Sequence, residues 1–124
     1  MSKGRKILIV DDDQTILNMY ETHLKNEGYI VSIADNGQTG LELAQKERPD
    51  IILLDIMLPQ MDGFAVLEKL KGSSDAKKIP VVMLTNLRQE EDKKKGEKLG
   101  AEAYLVKADL TPAQMGEKIK KYLK

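Results

Sequence analysis

The stretch DIILLDIMLPQMDG, residues 50–63, decides the fold. Four aliphatic residues, Ile51–Leu54, run without interruption into Asp55. A strand with one wet face alternates apolar and polar residues. An unbroken Ile/Leu run suits a strand covered on both faces, as in a parallel sheet. Beyond Asp55, Pro59 and the pair Asp62-Gly63 punctuate a loop, with Asp62 as a cap or turn residue. A carboxylate at the end of a buried strand is costly unless it is paired, metal-bound or neutralised. Asp55 therefore requires partners from elsewhere in the chain.

Working outward, similar runs recur at 7–10 (ILIV), 81–84 (VVML) and 103–106 (AYLV), with a more alternating one, YIVSIA, at 29–34. Between them lie stretches of helical spacing: Ile16, Tyr20 and Leu24; Leu41 and Ala44; Phe64, Leu67 and Leu70; Met115, Ile119 and Leu123. Gly28, Gly72 and Gly100 follow helical stretches, where a left-handed residue closes a helix. TPAQ at 111–114 reads as a capping box with Pro112 at the first helical position. Asp13 reads as the N-cap of a helix over 14–27. The β-α order repeats five times, which predicts an α/β domain with helices on both faces of a five-stranded parallel sheet. RQEEDKKKGEKLG, 88–100, has no apolar stripe beyond Leu87 and Leu99 at its edges, and Gly96 lies inside it. It reads as a solvated helix, Lys93-Lys94-Lys95 included, or as a lightly anchored element able to move.

The 124 residues suit a single core, here 5–124, after a loose tail at 1–4. Because the chain opens on Met1 and Lys124 closes its last helix, a single-domain protein is expected. Twenty Lys+Arg balance twenty Asp+Glu, so overall charge favours neither direct nucleic-acid binding nor an anionic membrane surface. Absence of cysteine excludes disulfides, thiol catalysis and Cys-based zinc sites. No secretory signal or membrane-length apolar run is present, so a cytoplasmic protein without membrane insertion is expected. Aromatic residues make up 4%, too few for a base-stacking platform. His23, on the first helix, reads as exposed and inert.

In open parallel sheets, ligands bind beyond the carboxyl ends of the strands. Asp11, Asp12 and Asp13 follow the first strand, Asp55 the third, Thr85 the fourth and Lys107 the fifth. Two carboxylates about 4 Å apart repel by ~4 kcal/mol at an effective dielectric of 20. Three together call for a cation. Oxygen donors without nearby His or Cys select a hard ion, Mg²⁺ or Mn²⁺. A carboxylate beside such an ion, with a lysine and a hydroxyl across from it, is a place to accept a phosphoryl group.

The set Asp11-Asp12, Asp55, Thr85 and Lys107, with LPQMDG after Asp55 and Tyr104 three residues before Lys107, resembles the receiver domain of two-component response regulators. The separations agree: 30 residues from Asp55 to Thr85 and 22 from there to Lys107. The resemblance implies a doubly wound, flavodoxin-like sheet in the order 2-1-3-4-5 with five helices. It implies Asp55 as phosphoacceptor. Asp12, Asp55 and the Met57 backbone carbonyl would bind Mg²⁺, with Asp11 acting through water. Thr85, Lys107 and the Asn86 backbone would contact the phosphoryl oxygens, and Thr85 and Tyr104 would form the switch. The implied donor is a phosphohistidine on a sensor histidine kinase or phosphotransfer protein. The implied output is a face over 88–123 that binds a downstream protein or an effector domain missing from this sequence, in a monomer or a phosphorylation-dependent dimer.

Three departures from that pattern involve four positions. Ala108 stands where the family usually has a proline after a cis bond, so either strain or a different loop is expected. Asn86 replaces a smaller residue and is expected to narrow access to Asp55. Met57 and Leu87 offer no polar group to orient a water, so self-dephosphorylation is expected to be slow. An enzyme alternative exists: DDDQT at 11–15 also fits the D-x-D-x-T motif of haloacid-dehalogenase-like phosphatases, with Asp11 as nucleophile and Asp13 as general acid/base. It leaves Asp55 without a role, and Asp109 alone in place of a further acidic pair. A flavodoxin-like electron carrier would lack aromatic rings to sandwich a flavin.

Overall fold

A computed structural model describes residues 4–123. Strands and helices alternate: β1 (Lys6–Val10), α1 (Gln14–Asn26), β2 (Ile30–Ala34), α2 (Gly37–Glu47), β3 (Ile51–Leu54), α3 (Gly63–Lys71), β4 (Val81–Thr85), α4 (Glu90–Lys98), β5 (Ala103–Val106) and α5 (Pro112–Ile119). The five strands pair in parallel in the order β2-β1-β3-β4-β5. The central strand is the aliphatic run Ile51–Leu54, and all four of its residues are fully buried.

Period-two alternation divides the core into two layers. Leu8, Val10, Ile52, Leu54, Val81 and Met83 face Ala44 of α2 and Phe64, Val66, Leu67 and Leu70 of α3. Their neighbours Ile7, Ile9, Ile51, Leu53, Val82 and Leu84 face Leu17, Tyr20 and Leu24 of α1 and Met115 and Ile119 of α5. A sheet buried on both sides is why the runs are continuous. Truncating one of these Leu or Ile residues to Ala would cost about 2–5 kcal/mol.

The helix starts follow their caps. Asp13 accepts from Thr15 and Ile16 N–H, Asp62 from Ala65 N–H, and Thr111 and Gln114 close a reciprocal capping box. The helix ends follow the sequence less closely. Gly28 and Gly100 are left-handed, but Gly72 is not: its φ is −88°. The chain leaves α3 through turns over 73–79, where Lys71 Nζ donates to the carbonyls of Lys77 and Ile79. Arg48 takes the left-handed position that closes α2. The last helix is shorter than expected, and its final turn, Lys120–Tyr122, is 3-10. His23 is half-buried rather than exposed, packed against Gly116 of α5 with Nε2 3.6 Å from Glu27 Oε1. Of the expected tail, residues 1–3 lie outside the described residues, and Gly4 N–H donates to the Gly28 carbonyl at 3.3 Å.

Candidate functional site

Among the described residues, the buried side chains that are polar or charged are Asp11, Asp55, Thr85 and Lys107. They come from four segments of the chain and meet at the carboxyl edge of the sheet, where β1, β3, β4 and β5 end. Lys107 Nζ donates to Asp11 Oδ2 and, at 2.8 Å, to Asp55 Oδ2. The partner that Asp55 required is thus a buried ammonium shared with a second carboxylate. Two hydrogen bonds thus pin the Lys107 side chain.

Local backbone holds the acids in place. Asp11 Oδ1 accepts from Asp13 N–H at 2.9 Å, and Asp55 Oδ1 from Met57 N–H at 3.3 Å. Gly63 begins α3 directly against the Asp55 backbone. A Cβ there would lie 2.2 Å from the Asp55 carbonyl oxygen and 2.6 Å from Ile56 Cα, so no other residue fits without moving the strand end. Thr85 Oγ1 accepts only a long bond, 3.5 Å, from Leu87 N–H.

Burial lifts the Asp11 carboxyl above its ordinary value, against hydrogen bonds from Lys107 and the Asp13 amide that pull it down. Burial pulls Lys107 down, but its bonds to Asp11 and Asp55 and their charges carry it above the usual lysine value. For both groups burial opposes the charged form and the hydrogen bond between them favours it.

Asp11, Asp12 and Asp55 each offer a carboxylate oxygen within 4.8 Å of the others. Asp12 is exposed and forms no hydrogen bond or ion pair among the described residues. Three carboxylates against one ammonium leave a formal charge of −2. All donors are oxygens. The arrangement fits a hard divalent cation. A cleft of about 260 Å³ opens above it, and its lining includes Asp11, Asp12, Asp55, Thr85, Asn86 and Lys107. Met57 is 60% exposed at its mouth.

Tyr104 lies apart from the acids. Its half-buried hydroxyl donates to the Leu87 carbonyl at 2.8 Å. Burial first, then Asp92 and Asp55, push its phenol up to about 12. The Lys107–Ala108 bond is trans, like every peptide bond among the described residues, and residues Lys107–Asp109 form a short 3-10 turn. Asn86 adds a contact that sequence reading missed. Its side chain turns toward the neighbouring loop, where Oδ1 accepts from Ala108 N–H at 2.9 Å. No short-range pattern could have shown it, because the partners are 22 residues apart.

The comparisons converge with this geometry. A family model for the response regulator receiver domain matches residues 7–120. The chain is 39% identical over 119 residues to a probable transcriptional regulator, ycf27, of Guillardia theta, covering 96% of this chain and 45% of that protein. It is 44% identical over 102 residues to the DNA-binding dual master transcriptional regulator RpaA of a Synechocystis strain, covering 82% of this chain and 42% of that one. The chain spans a little under half the length of these relatives. In structure it is similar to the Vibrio cholerae chemotaxis protein CheY4, with a TM-score of 0.91 at 34% identity, covering 97% of this chain and 99% of that one. That sheet order, and a family match running from β1 into the turn after α5, make the chain a member of the response regulator receiver family of two-component systems.

Proposed function

We propose that the chain is a phosphorylation-driven signalling switch whose phosphoacceptor is Asp55. The observation that carries this reading is that the four buried polar or charged side chains among the described residues all gather at one rim, beside an acid that is still free. A carboxylate oxygen of Asp55 attacks the phosphorus of a phosphohistidine on a sensor histidine kinase or phosphotransfer protein. The P–N bond breaks and its electron pair leaves with the imidazole, which takes up a proton. An acyl phosphate remains on Asp55.

Asp12, Asp55 and the Met57 carbonyl would hold Mg²⁺ or Mn²⁺, with Asp11 acting through water; when bound, the ion neutralises charge on the transferring group. Lys107 contributes a second positive charge, already directed at Asp55. Thr85, held only by a long bond, is free to turn its hydroxyl to a phosphoryl oxygen, and the Asn86 backbone N–H offers another donor. Movement of Thr85 would disturb Leu87, whose N–H and carbonyl bind Thr85 and Tyr104 respectively. The 88–123 face would then change for a downstream protein or a second copy of the chain. We place this action in the cytoplasm; no helix among the described residues is long and apolar enough to cross a membrane.

Met57 and Leu87 supply no side-chain acceptor for an attacking water, so release is slow and the chain acts as a switch rather than a turnover enzyme. The phosphatase alternative asks Asp13 for proton transfer, yet that carboxylate is engaged in capping α1. The test is labelling with acetyl phosphate and Mg²⁺. Mass spectrometry should place one phosphoryl group on Asp55, Asp55→Asn should abolish it, and decay should take minutes or longer. Label on Asp11 would overturn the assignment, and a half-life of seconds would overturn slow release.

A further inference from the structure

The turn that carries Lys107 has little of its own to hold it. Residues Lys107–Asp109 form one 3-10 turn without a side-chain cap, closed by Leu110 N–H on the Lys107 carbonyl at 3.1 Å. Such short turns have poor hydrogen-bond geometry. A proline at 108 would restrict the backbone and remove an amide; Ala108 leaves the backbone freer and adds an N–H. That N–H is taken by Asn86 Oδ1 at 2.9 Å. The next residue, Asp109, receives both terminal nitrogens of Arg88, at 2.8 and 3.2 Å. A forked pair of this kind fixes orientation as well as distance.

We infer that Asn86 and Arg88 are positioning residues for Lys107. The contacts Asn86–Ala108 and Arg88–Asp109 form a two-point clasp that takes the place of a rigid residue at 108. The inference rests on the reading of Asp55 as phosphoacceptor. Thr85 immediately precedes Asn86, and Lys107 immediately precedes Ala108. The clasp therefore makes one unit of the two loops whose hydroxyl and ammonium approach the same phosphoryl group. The Arg88–Asp109 side chains are 59% and 54% exposed, where an isolated ion pair adds little to stability. The role of the clasp lies in placing the turn.

The test uses the full chain. Asn86→Leu keeps the branched shape of the side chain and deletes the acceptor. Its Ala108 amide should exchange about tenfold faster than in the parent chain. Its phosphorylation rate constant with acetyl phosphate at saturating Mg²⁺ should fall about tenfold, the order expected when a reacting group is slightly misplaced. Mg²⁺ affinity should fall by less than the rate does, because the three carboxylates that would hold the ion are themselves untouched. Arg88→Asp and Asp109→Arg should each slow phosphorylation, and the double swap should restore it to within about twofold.

Unchanged Ala108 exchange, an unchanged rate, a loss of Mg²⁺ affinity equal to the loss of rate, or a swap that fails to recover would each overturn the clasp. Should Asn86→Leu not fold, the charge swap decides alone. A parent chain that takes no phosphoryl group on Asp55 overturns the functional reading and the positioning role together. Ala108 exchange distinguishes that outcome from failure of the clasp, since it is read without any phosphodonor.

Discussion

Tyr104 ties the site's chemistry to its surroundings through one hydroxyl. Burial, with the charges of Asp92 and Asp55, pushes its phenol up to about 12, against about 10 for an unfolded chain. Between those values the unfolded chain loses the proton while the folded one keeps it, so rising pH favours unfolding. The contribution is full below about pH 10 and is lost as the pH passes through 12. Tyr20, Tyr29 and Lys107 are also raised and add to the same alkaline fall. Tyr104→Phe should make that fall shallower, measured by urea unfolding at steps from pH 9 to 11.5. An unchanged slope would mean that the hydroxyl is not held as described. At this scale the sequence was most legible where chemistry is scarce. Asp55, Asp11, Thr85 and Lys107 could be read because charged or hydroxylic residues rarely end buried strands. Asn86–Ala108 and the half-burial of His23 could not, because nothing in residue type or spacing reports a contact between loops or between two helices.

Elements were legible to the degree that hydrophobic periodicity builds them. The strands β3 and β5 fall where the aliphatic runs lie, and β1, β2 and β4 differ by one residue at an end. α4 shows what periodicity misses. It starts at Glu90 rather than 88, with Glu90, Glu91 and Asp92 in its first turn and Lys95 and Lys98 in its last, all complementing the helix dipole. Its attachment is not a stripe of leucines. Lys95 Nζ lies 4.6 Å from the centre of the Phe64 ring, and Gly96 brings the helix close to Met83 and Tyr104. A Cβ at 96 would lie 3.5 Å from Met83 Cγ, 3.7 Å from Tyr104 Cδ2 and 3.9 Å from Phe64 Cε1, all ordinary contact distances. Gly96→Ala should therefore gain the helix propensity that glycine forgoes, about 0.5–1 kcal/mol, without a clash. A rise in Tm of about 2–4 °C and slower amide exchange across α4 are expected. If α4 is the part that shifts, the same variant should show a smaller change in exchange when beryllofluoride is added. A fall in Tm would show that the glycine is needed for close packing rather than for looseness.

The whole molecule concentrates its electrostatic cost at one rim. The formal charge of the chain is zero, yet the buried charged side chains among the described residues sit together at one edge of the sheet. Lys107 bonds to two of the three clustered acids, Asp12 has no such partner among the described residues, and a formal charge of −2 remains. A divalent cation that binds this cluster only in the folded state must raise stability by RT ln(1 + [L]/Kd), about 1.4 kcal/mol at ten times Kd. For a domain of this size that is a rise in Tm of about 4 °C. Melting in Mg²⁺, against a sodium salt of equal ionic strength, separates binding from screening, since screening alone acts on every exposed charge. Asp12→Asn should remove most of the rise while leaving the melt in chelator nearly unchanged, because its carboxylate has no protein partner to lose. Asp11→Asn should behave differently, lowering Tm even in chelator, since it breaks a buried pair with Lys107. Equal rises in the parent chain and in Asp12→Asn would place the cation elsewhere. No rise in either would mean that Lys107 already balances the cluster well enough to keep a divalent ion out.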